Sequence, residues 1–423
     1  ILGENDNVYY SNFTNCYSKT NGTVYIHGGY ATIGTCYMNN NTVNGSGGGI
    51  YVLGNFINLY DTSINNTKAN MNGSGLYILG NRTQISNTNL TNSVAADYGG
   101  FYIAGYRTFI DGAHLENNTA NYGAGIYVSG DQTEIKRVIF SNNTAIQSGG
   151  GLYYEGRGIT LSDSIFDKNT AKKLKGGSIY FSGKQGDSIL RCNFTNGWAN
   201  TNAGGIAWTA NGNGGLIKDC YFENMSSGQH GACIHWEKNN NGTIDNCTFV
   251  NSIARTTKNG GAVYMGTNPR ANFAVNPVIS NCLVINCTQG NRGAINLLGI
   301  NLTVVNNTFI NITGTGGDTD GFRALEIENG LGALILNNTF INCSGNGNGG
   351  GARVLAGENI TVANNTFIDC HNTRSGGGFY SGAKGFQIFE NNTFINNSGQ
   401  KDGGAAAFTN LVTSFKNNTF INN

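Results

Sequence analysis

Charged residues make up 12% of the 423 positions, so the few places where acids and bases fall close together stand out. Glu326 and Glu328 are two residues apart, a spacing that puts both carboxylates on one face of a strand. Arg323 lies just before them, and Arg353 falls one repeat later. His230, His235 and Glu237 form a second polar group, beside Trp236. Polysaccharide cleavage calls for paired carboxylates, or for a carboxylate with a metal and a base, and neither group composes that set. The chain is therefore expected not to be an enzyme, with a polysaccharide lyase or hydrolase as the lesser alternative. Asp318 and Asp320 in GGDTDG match a fragment of a calcium loop that lacks its other ligand positions. No cofactor is expected, and calcium at these two aspartates is the one candidate.

The ten cysteines include no CxxC pair, which argues against zinc. One repeat brings Cys192 towards Cys220, Cys247 towards Cys282 and Cys343 towards Cys370. Core thiols and disulfides both stay open, and Cys343–Cys370 is the favoured bridge. Aromatic residues supply a different chemistry. Glycine-rich segments such as GGGIYV (47–52), GSGLYI (73–78) and GAGIYV (123–128) each carry a tyrosine at one fixed place. The row reads Tyr25, Tyr51, Tyr77, Tyr102, Tyr127, Tyr153 and Tyr180. Exposed rings in a row suit sugar rings or a partner's apolar surface, and Tyr51, Tyr77, Tyr102, Tyr127, Tyr153 and Tyr180 are the candidate ligand-binding residues. Like-with-like packing inside a parallel sheet would produce the same row. Among the many Asn-X-Ser/Thr triplets, Asn21, Asn81, Asn241, Asn301 and Asn359 fall in turns and are the glycosylation candidates.

These residues are placed by a repeat. The first apolar residue of the glycine strand recurs at Leu76, Phe101, Ile126, Leu152 and onward to Ile295, Leu325, Arg353, Phe379 and Ala405. Its step is 25 residues from Phe101 to Ile126 and 32 from Val263 to Ile295. A second column holds Phe309, Phe340, Phe367 and Phe394, and a third runs five residues earlier. Two positions before the second column stand Cys192, Cys220, Cys247 and Cys282, then Asn307, Asn338, Asn365, Asn392 and Asn418, which an inward amide stack would satisfy. No segment keeps a 3.6-residue apolar period, and β-branched and aromatic residues fill the apolar positions. The pattern predicts an all-β fold, a right-handed single-stranded parallel β-helix of about fifteen coils with three short strands per coil. Residues 1–423 form one continuous solenoid, expected to be a fragment of a longer surface protein that continues end to end. Arg353 replaces an inward apolar residue, which reads as an ion-pair patch with Arg323, Glu326 and Glu328, or as a ligand site. Insertions at 266–277 and 312–323 interrupt the coils and are candidate recognition loops.

A net charge of +1 gives no electrostatic case for nucleic acid or an anionic membrane. No apolar run of about 18 residues would insert this segment in a bilayer.

The runs NNTFIN, NNTFID, FSNNTA and GGGIYV resemble the adhesin-like β-helix proteins of methanogenic archaea. GGAV (260–263), RGAI (292–295), FSNN (140–143) and FDKN (166–169) are similar to the repeats of chlamydial polymorphic membrane proteins. The resemblance covers essentially the whole chain. It implies a secreted glycoprotein at the extracellular cell surface that attaches to a glycan or to a surface protein of another cell, and it brings no catalytic residues. A passive stalk or surface-layer component is the alternative.

Overall fold

The computed structural model describes residues 2–183, 186–209, 213–237, 240–255, 259–266, 273–289, 292–314 and 321–423. The chain is a right-handed parallel β-solenoid, and no helix occurs among the described residues. It divides into two compact units, residues 1–200 with 204–207 and residues 201–203 with 208–423.

One coil of the first unit shows why the sequence winds this way. Its strands are Asn58–Tyr60, Ser63–Asn65, Lys68–Ala69 and Leu76–Ile78. Asp61 and Asn66 stand between the first three with φ of 47° and 51°, a left-handed conformation that Asn and Asp tolerate better than most residues. The residue after each corner turns inward. Thr62 Oγ1 donates to Tyr60 O at 3.0 Å and Thr67 Oγ1 to Ser74 O at 2.6 Å, so the corner carbonyls are not left unpaired inside the coil. Each strand then pairs in parallel with the equivalent strands of its neighbours, as in Ile64 with Met38 and Leu90. The NNTFIN run follows the same logic in the second unit: Asn306 makes the corner (φ 57°), Asn307 and Phe309 are buried, and Asn311 makes the next corner (φ 54°).

Each unit has its own apolar ladders. In the first, the rings of Phe140, Phe166 and Phe194 stack at 4.3 and 4.9 Å. In the second, Phe309, Phe340, Phe367 and Phe394 stack at 4.6 to 4.8 Å. All are fully buried, and each contributes about 2–3 kcal/mol relative to exposure. The inward amide stack is present in the second unit. Asn307 Nδ2 donates to Asn338 Oδ1, Asn338 to Asn365, Asn365 to Asn392 and Asn392 to Asn418, at 3.0 to 3.1 Å. The first unit has a stack of its own through Asn118, Asn143 and Asn169.

Two expectations change in detail. Many coils carry a fourth, two-residue strand, such as Lys68–Ala69, Val94–Ala95 and Thr170–Ala171. Its inward residue is usually alanine, so it makes little apolar signal. Arg353 is not in the inward apolar column. Ala352 pairs with Leu325 and Phe379, while Arg353 pairs with Glu326 and Tyr380; Ala406, not Ala405, continues that column. Glycines and alanine carry no side-chain bulk to mark which of two adjacent positions faces inward.

Candidate functional site

In the first unit, the tyrosine column forms on strands such as Ile50–Val52, Leu76–Ile78 and Phe101–Ile103, where the flanking residues are buried and the central tyrosine is half exposed. Register places Tyr25, Tyr51, Tyr77, Tyr102, Tyr127, Tyr153 and Tyr180 directly over one another. Successive rings lie 4.6 to 5.3 Å apart and within 24° of parallel. Each inner ring therefore has its two faces against other tyrosines, and the column presents edges and hydroxyls outward. Tyr98 and Tyr122 lean over it, with Tyr98 4.5 Å from Tyr127 and Tyr122 5.4 Å from Tyr153, and Tyr127 is 5% exposed. The Tyr127 hydroxyl donates to Glu155 Oε2 at 2.6 Å. Burial, reinforced by Tyr102 and Tyr51, pushes Tyr77 up to about 12. Burial and the Glu155 carboxylate push Tyr127 and Tyr153 higher still. The phenols of Tyr77, Tyr127 and Tyr153 therefore stay neutral hydrogen-bonding groups at ordinary pH.

In the second unit the same column holds His235, Tyr264, Asn296, Glu326, Arg353, Tyr380 and Ala407, paired in sequence. His235 lies 5.4 Å from Tyr264 and 4° from parallel, and His230 lies 4.6 Å from the same ring. Glu237 Oε1 is 3.6 Å from His235 Nδ1. Asn202 Nδ2 is 3.5 Å from His235 Nε2, and Asn202 Oδ1 accepts the His230 amide. Together with Gln229 and Gly266 these residues line a cavity of about 250 Å³. Burial and the charge of Glu328 raise Tyr264, partly opposed by Arg292. The sequence singled out His230, His235 and Glu237; Gln229 adjoins His230 in the chain, and Asn202 and Tyr264 join them only because coils stack.

Further along this column the polar residues are sealed in. Glu326 and Arg323 are fully buried and Arg353 is 3% exposed. Arg353 Nη2 and Nε donate to Glu326 at 2.7 and 2.9 Å, and Arg323 Nη1 donates to the same carboxylate. Burial alone would raise Glu326, but Arg323 and Arg353 outweigh it and hold the carboxyl below its ordinary value. Glu328 pairs instead with Arg292 and accepts from Asn259. The ion-pair reading of this cluster is the one its geometry matches.

Cys343 and Cys370 stand as buried free thiols, and the bridge considered between them is not formed. Each Sγ is directed to backbone carbonyls, Cys343 to Ile341 O and Cys370 to Ile368 O, both at 3.5 Å. Among the sequon asparagines, Asn81, Asn241, Asn301 and Asn359 are exposed and Asn21 is half-buried. Asp318 and Asp320 lie outside the described residues, as do 267–272 and 315–320 of the two insertions. Among the described residues no group of three or more His, Cys, Asp or Glu side chains is placed to hold a metal.

A family model described as right handed beta helix region matches residues 110–276. No curated protein sequence matches the chain. Solved structures similar to it include the A-module of an Azotobacter vinelandii mannuronan C-5 epimerase and an alginate lyase. The first is 10% identical with a TM-score of 0.34, covering 98% of this chain and 89% of the epimerase. The second is 12% identical with a TM-score of 0.31, covering 93% of this chain and 80% of the lyase. Both are polysaccharide-acting enzymes, and this finding corrects the expectation that the chain is not an enzyme. Identities this low transfer no residue role or substrate.

Proposed function

We propose that this chain is an adhesin-like β-helix, displayed extracellularly at a cell surface, that attaches to a glycan or to a surface protein of another cell through its tyrosine column. The carrying observation is that strand pairing does not demand the tyrosines. In the second unit the same position holds His, Asn, Glu, Arg and Ala, and those strands pair in register equally well. What the column offers is a row of phenol edges whose exposed hydroxyls both donate and accept. A glycan lying along the coils would meet such a hydroxyl on successive windings, except at Tyr127, which is buried and donates to Glu155. Asn21, Asn81, Asn241, Asn301 and Asn359 are then the positions at which such a surface glycoprotein would carry its own glycans.

Binding of the wild-type chain and of a Tyr51→Phe/Tyr77→Phe/Tyr102→Phe variant to a glycan array tests this reading. Phenylalanine keeps the ring stack and removes only the hydroxyls. At about 1 kcal/mol per hydrogen bond, the triple variant should bind on the order of a hundredfold more weakly. Equal binding removes the column from the attachment surface, and no ligand at all favours a passive stalk.

A second reading, a polysaccharide-processing enzyme, is favoured by the His235–Glu237 pair beside Tyr264, an imidazole and carboxylate spaced for general acid–base work in an open cavity. Pectin, alginate and host-type glycans would be followed by ultraviolet absorbance and reducing ends. Turnover that disappears in His235→Asn supports this reading, and no turnover on any of them rejects it.

A further inference from the structure

Most coils enter their first sheet through a left-handed residue two positions before the paired strand. In the second unit this corner reads Gly214, Asn241, Asn276, Asn301, Gly332 and Asn359, the residue types for which a positive φ is least costly. In the first unit Asn5, Gly158 and Gly186 hold the same corner, but the five coils between Asn5 and Gly158 read Tyr30, Phe56, Arg82, Arg107 and Gln132, with φ of 57°, 59°, 57°, 55° and 53°. Large side chains rarely occupy this region, and where they do the strain points to a use beyond folding. Winding does not require them. The strands that follow pair in register in both units, as in Asn58 with Gln84 and in Val278 with Thr303.

The five side chains make a continuous exposed stripe. Tyr30 and Phe56 are 55% and 39% exposed, and their rings stack 4.8 Å apart and 2° from parallel. The Arg82 guanidinium sits 5.1 Å from the Phe56 ring, and that of Arg107 sits 5.0 Å from the Tyr106 ring. Arg107 Nε donates to Gln132 Oε1 at 2.9 Å. Beside the stripe the backbones of successive coils pack directly on one another at buried glycines. A Cβ on Gly28, Gly54, Gly80, Gly105 or Gly130 would lie 1.5 to 2.1 Å from a carbonyl oxygen of the preceding coil. At the Tyr30–Phe56 end of the stripe a groove of about 530 Å³ opens, lined among others by Glu4, His27, Tyr30, Leu53 and Phe56, and Arg82 and Arg107 continue the stripe beyond it.

Charge identifies the occupant. Neither Arg82 nor Arg107 takes part in an ion pair among the described residues. Glu4 stands at one end of the stripe. At the other, the Asp131 carboxylate accepts the amide of Arg157. Two successive coils thus offer guanidinium groups without an ion-pair partner beside aromatic rings. Guanidinium binds carboxylate and sulfate through paired hydrogen bonds, and aromatic rings accept the apolar faces of sugar rings. The strands of this wall are paired on both edges, so a peptide has no free edge to extend.

We propose that this corner, the groove and the stripe that continues it, binds an acidic glycan, a chain bearing carboxylates or sulfates that runs along the coils with its acid groups on Arg82 and Arg107. The proposal rests on the glycan-attachment reading above but uses a different face and a different ligand charge. Its test measures binding of the full chain to polygalacturonate, chondroitin sulfate, neutral dextran and poly-glutamate at low and high salt. The variants are Arg82→Gln/Arg107→Gln and Tyr30→Asn/Phe56→Asn, the second installing the residue type that the other unit uses at this corner. Acidic glycans should bind, dextran should not, and each double variant should weaken binding at least tenfold while the tyrosine-column triple variant does not. A preference for one acidic polymer separates carboxylate from sulfate recognition, and both support the proposal. Full affinity in the double-arginine variant, or equal binding of dextran, overturns it. Poly-glutamate bound as tightly as the glycans overturns it in favour of an acidic peptide partner. Acidic-glycan binding lost only in the tyrosine-column variant keeps the attachment reading and removes the groove.

Discussion

Each unit buries a carboxylate, and the two are shifted in opposite directions. Glu326, in the second unit, lies between the guanidinium groups of Arg323 and Arg353, which keep it ionised despite full burial. Asp187, in the first unit, is 2% exposed and has no ion pair among the described residues. Its Oδ1 accepts the amides of Gly158 and Ile159 at 2.9 and 3.0 Å, while Oδ2 has no partner among the described residues. Burial pushes this carboxyl up to about 6, against the two amide bonds and helped by Asp131. The hydroxyl of Tyr154, whose ring lies close by at Gly183, also lacks a partner among the described residues. The same solenoid thus accommodates a buried acid either by ion pairing, which favours its charged form, or by hydrogen bonds too few to do so.

The largest effect should come from breaking the ion-paired case. Glu326→Gln leaves two buried guanidinium groups without their counter-charge, and should destabilise the second unit by about 3–5 kcal/mol, read as a lower urea midpoint. Replacing the whole set, as Arg323→Met/Glu326→Leu/Arg353→Met, should cost far less, because it also removes the burial of charge. A triple variant as unstable as the single one would mean that packing, not charge, makes this cluster sensitive.

The unpaired case should respond to pH with the opposite sign. The folded value of Asp187, about 6, lies above the unfolded value near 3.9. Its protonated form therefore supports the fold below about pH 4, and that support is lost as pH rises through 6, by roughly 3 kcal/mol. Asp187→Asn keeps the acceptor for Gly158 and Ile159 and removes the charge. The stability difference between variant and wild type should grow from near zero at pH 4 to about 3 kcal/mol in the variant's favour at pH 7.5. A difference that stays flat across this range would show that water or a local shift already solvates the carboxylate. Glu326 moves the other way: its lowered value makes its contribution present above the unfolded value near 4.3 and lost as pH falls through the folded one.

What could be read from the sequence follows from side-chain size. Phe309, Phe340 and Phe367 announce an inward column because large apolar residues repeat at one position, and the asparagine stack follows from its fixed offset to them. The two-residue fourth strand escapes because its inward residue is alanine at Ala69, Ala95 and Ala171. Arg353 is displaced by one because GGGAR carries no bulk before the arginine. The tyrosine row was legible as a row. That its ring faces are taken up by one another depends on the spacing between coils, which no single repeat reveals. The cavity at His235 gathers Asn202 and Tyr264 from the neighbouring coils, so local clustering pointed to only part of it. The strained corner was missed for another reason: backbone angle is not written in residue type. Aligning the repeats two positions before the first strand, with Asn and Gly in most coils and an unbroken run of Tyr30, Phe56, Arg82, Arg107 and Gln132 among them, was the signal that could have found it.

The smallest effect concerns that corner, and it asks whether the two units differ there for stability or for use. Phe56→Asn gives up one ring stack and one cation contact, together about 1 kcal/mol. It also relieves a left-handed phenylalanine, worth about 1–2 kcal/mol. The first unit should therefore keep its stability or gain up to about 1 kcal/mol in urea unfolding. The reciprocal change, Asn301→Phe, acquires the strain and loses the Asn301 Nδ2 bond to Asn276 Oδ1. Its neighbours on the corner, Asn276 and Gly332, offer no ring to stack on, so it should lose about 1–2 kcal/mol. Opposite signs for the two changes would mean that the aromatic corner is maintained at a structural disadvantage, as a surface kept for contact. If Phe56→Asn instead destabilises the unit by more than about 1 kcal/mol, the ring stack is a structural brace, and backbone strain no longer marks this corner as a site.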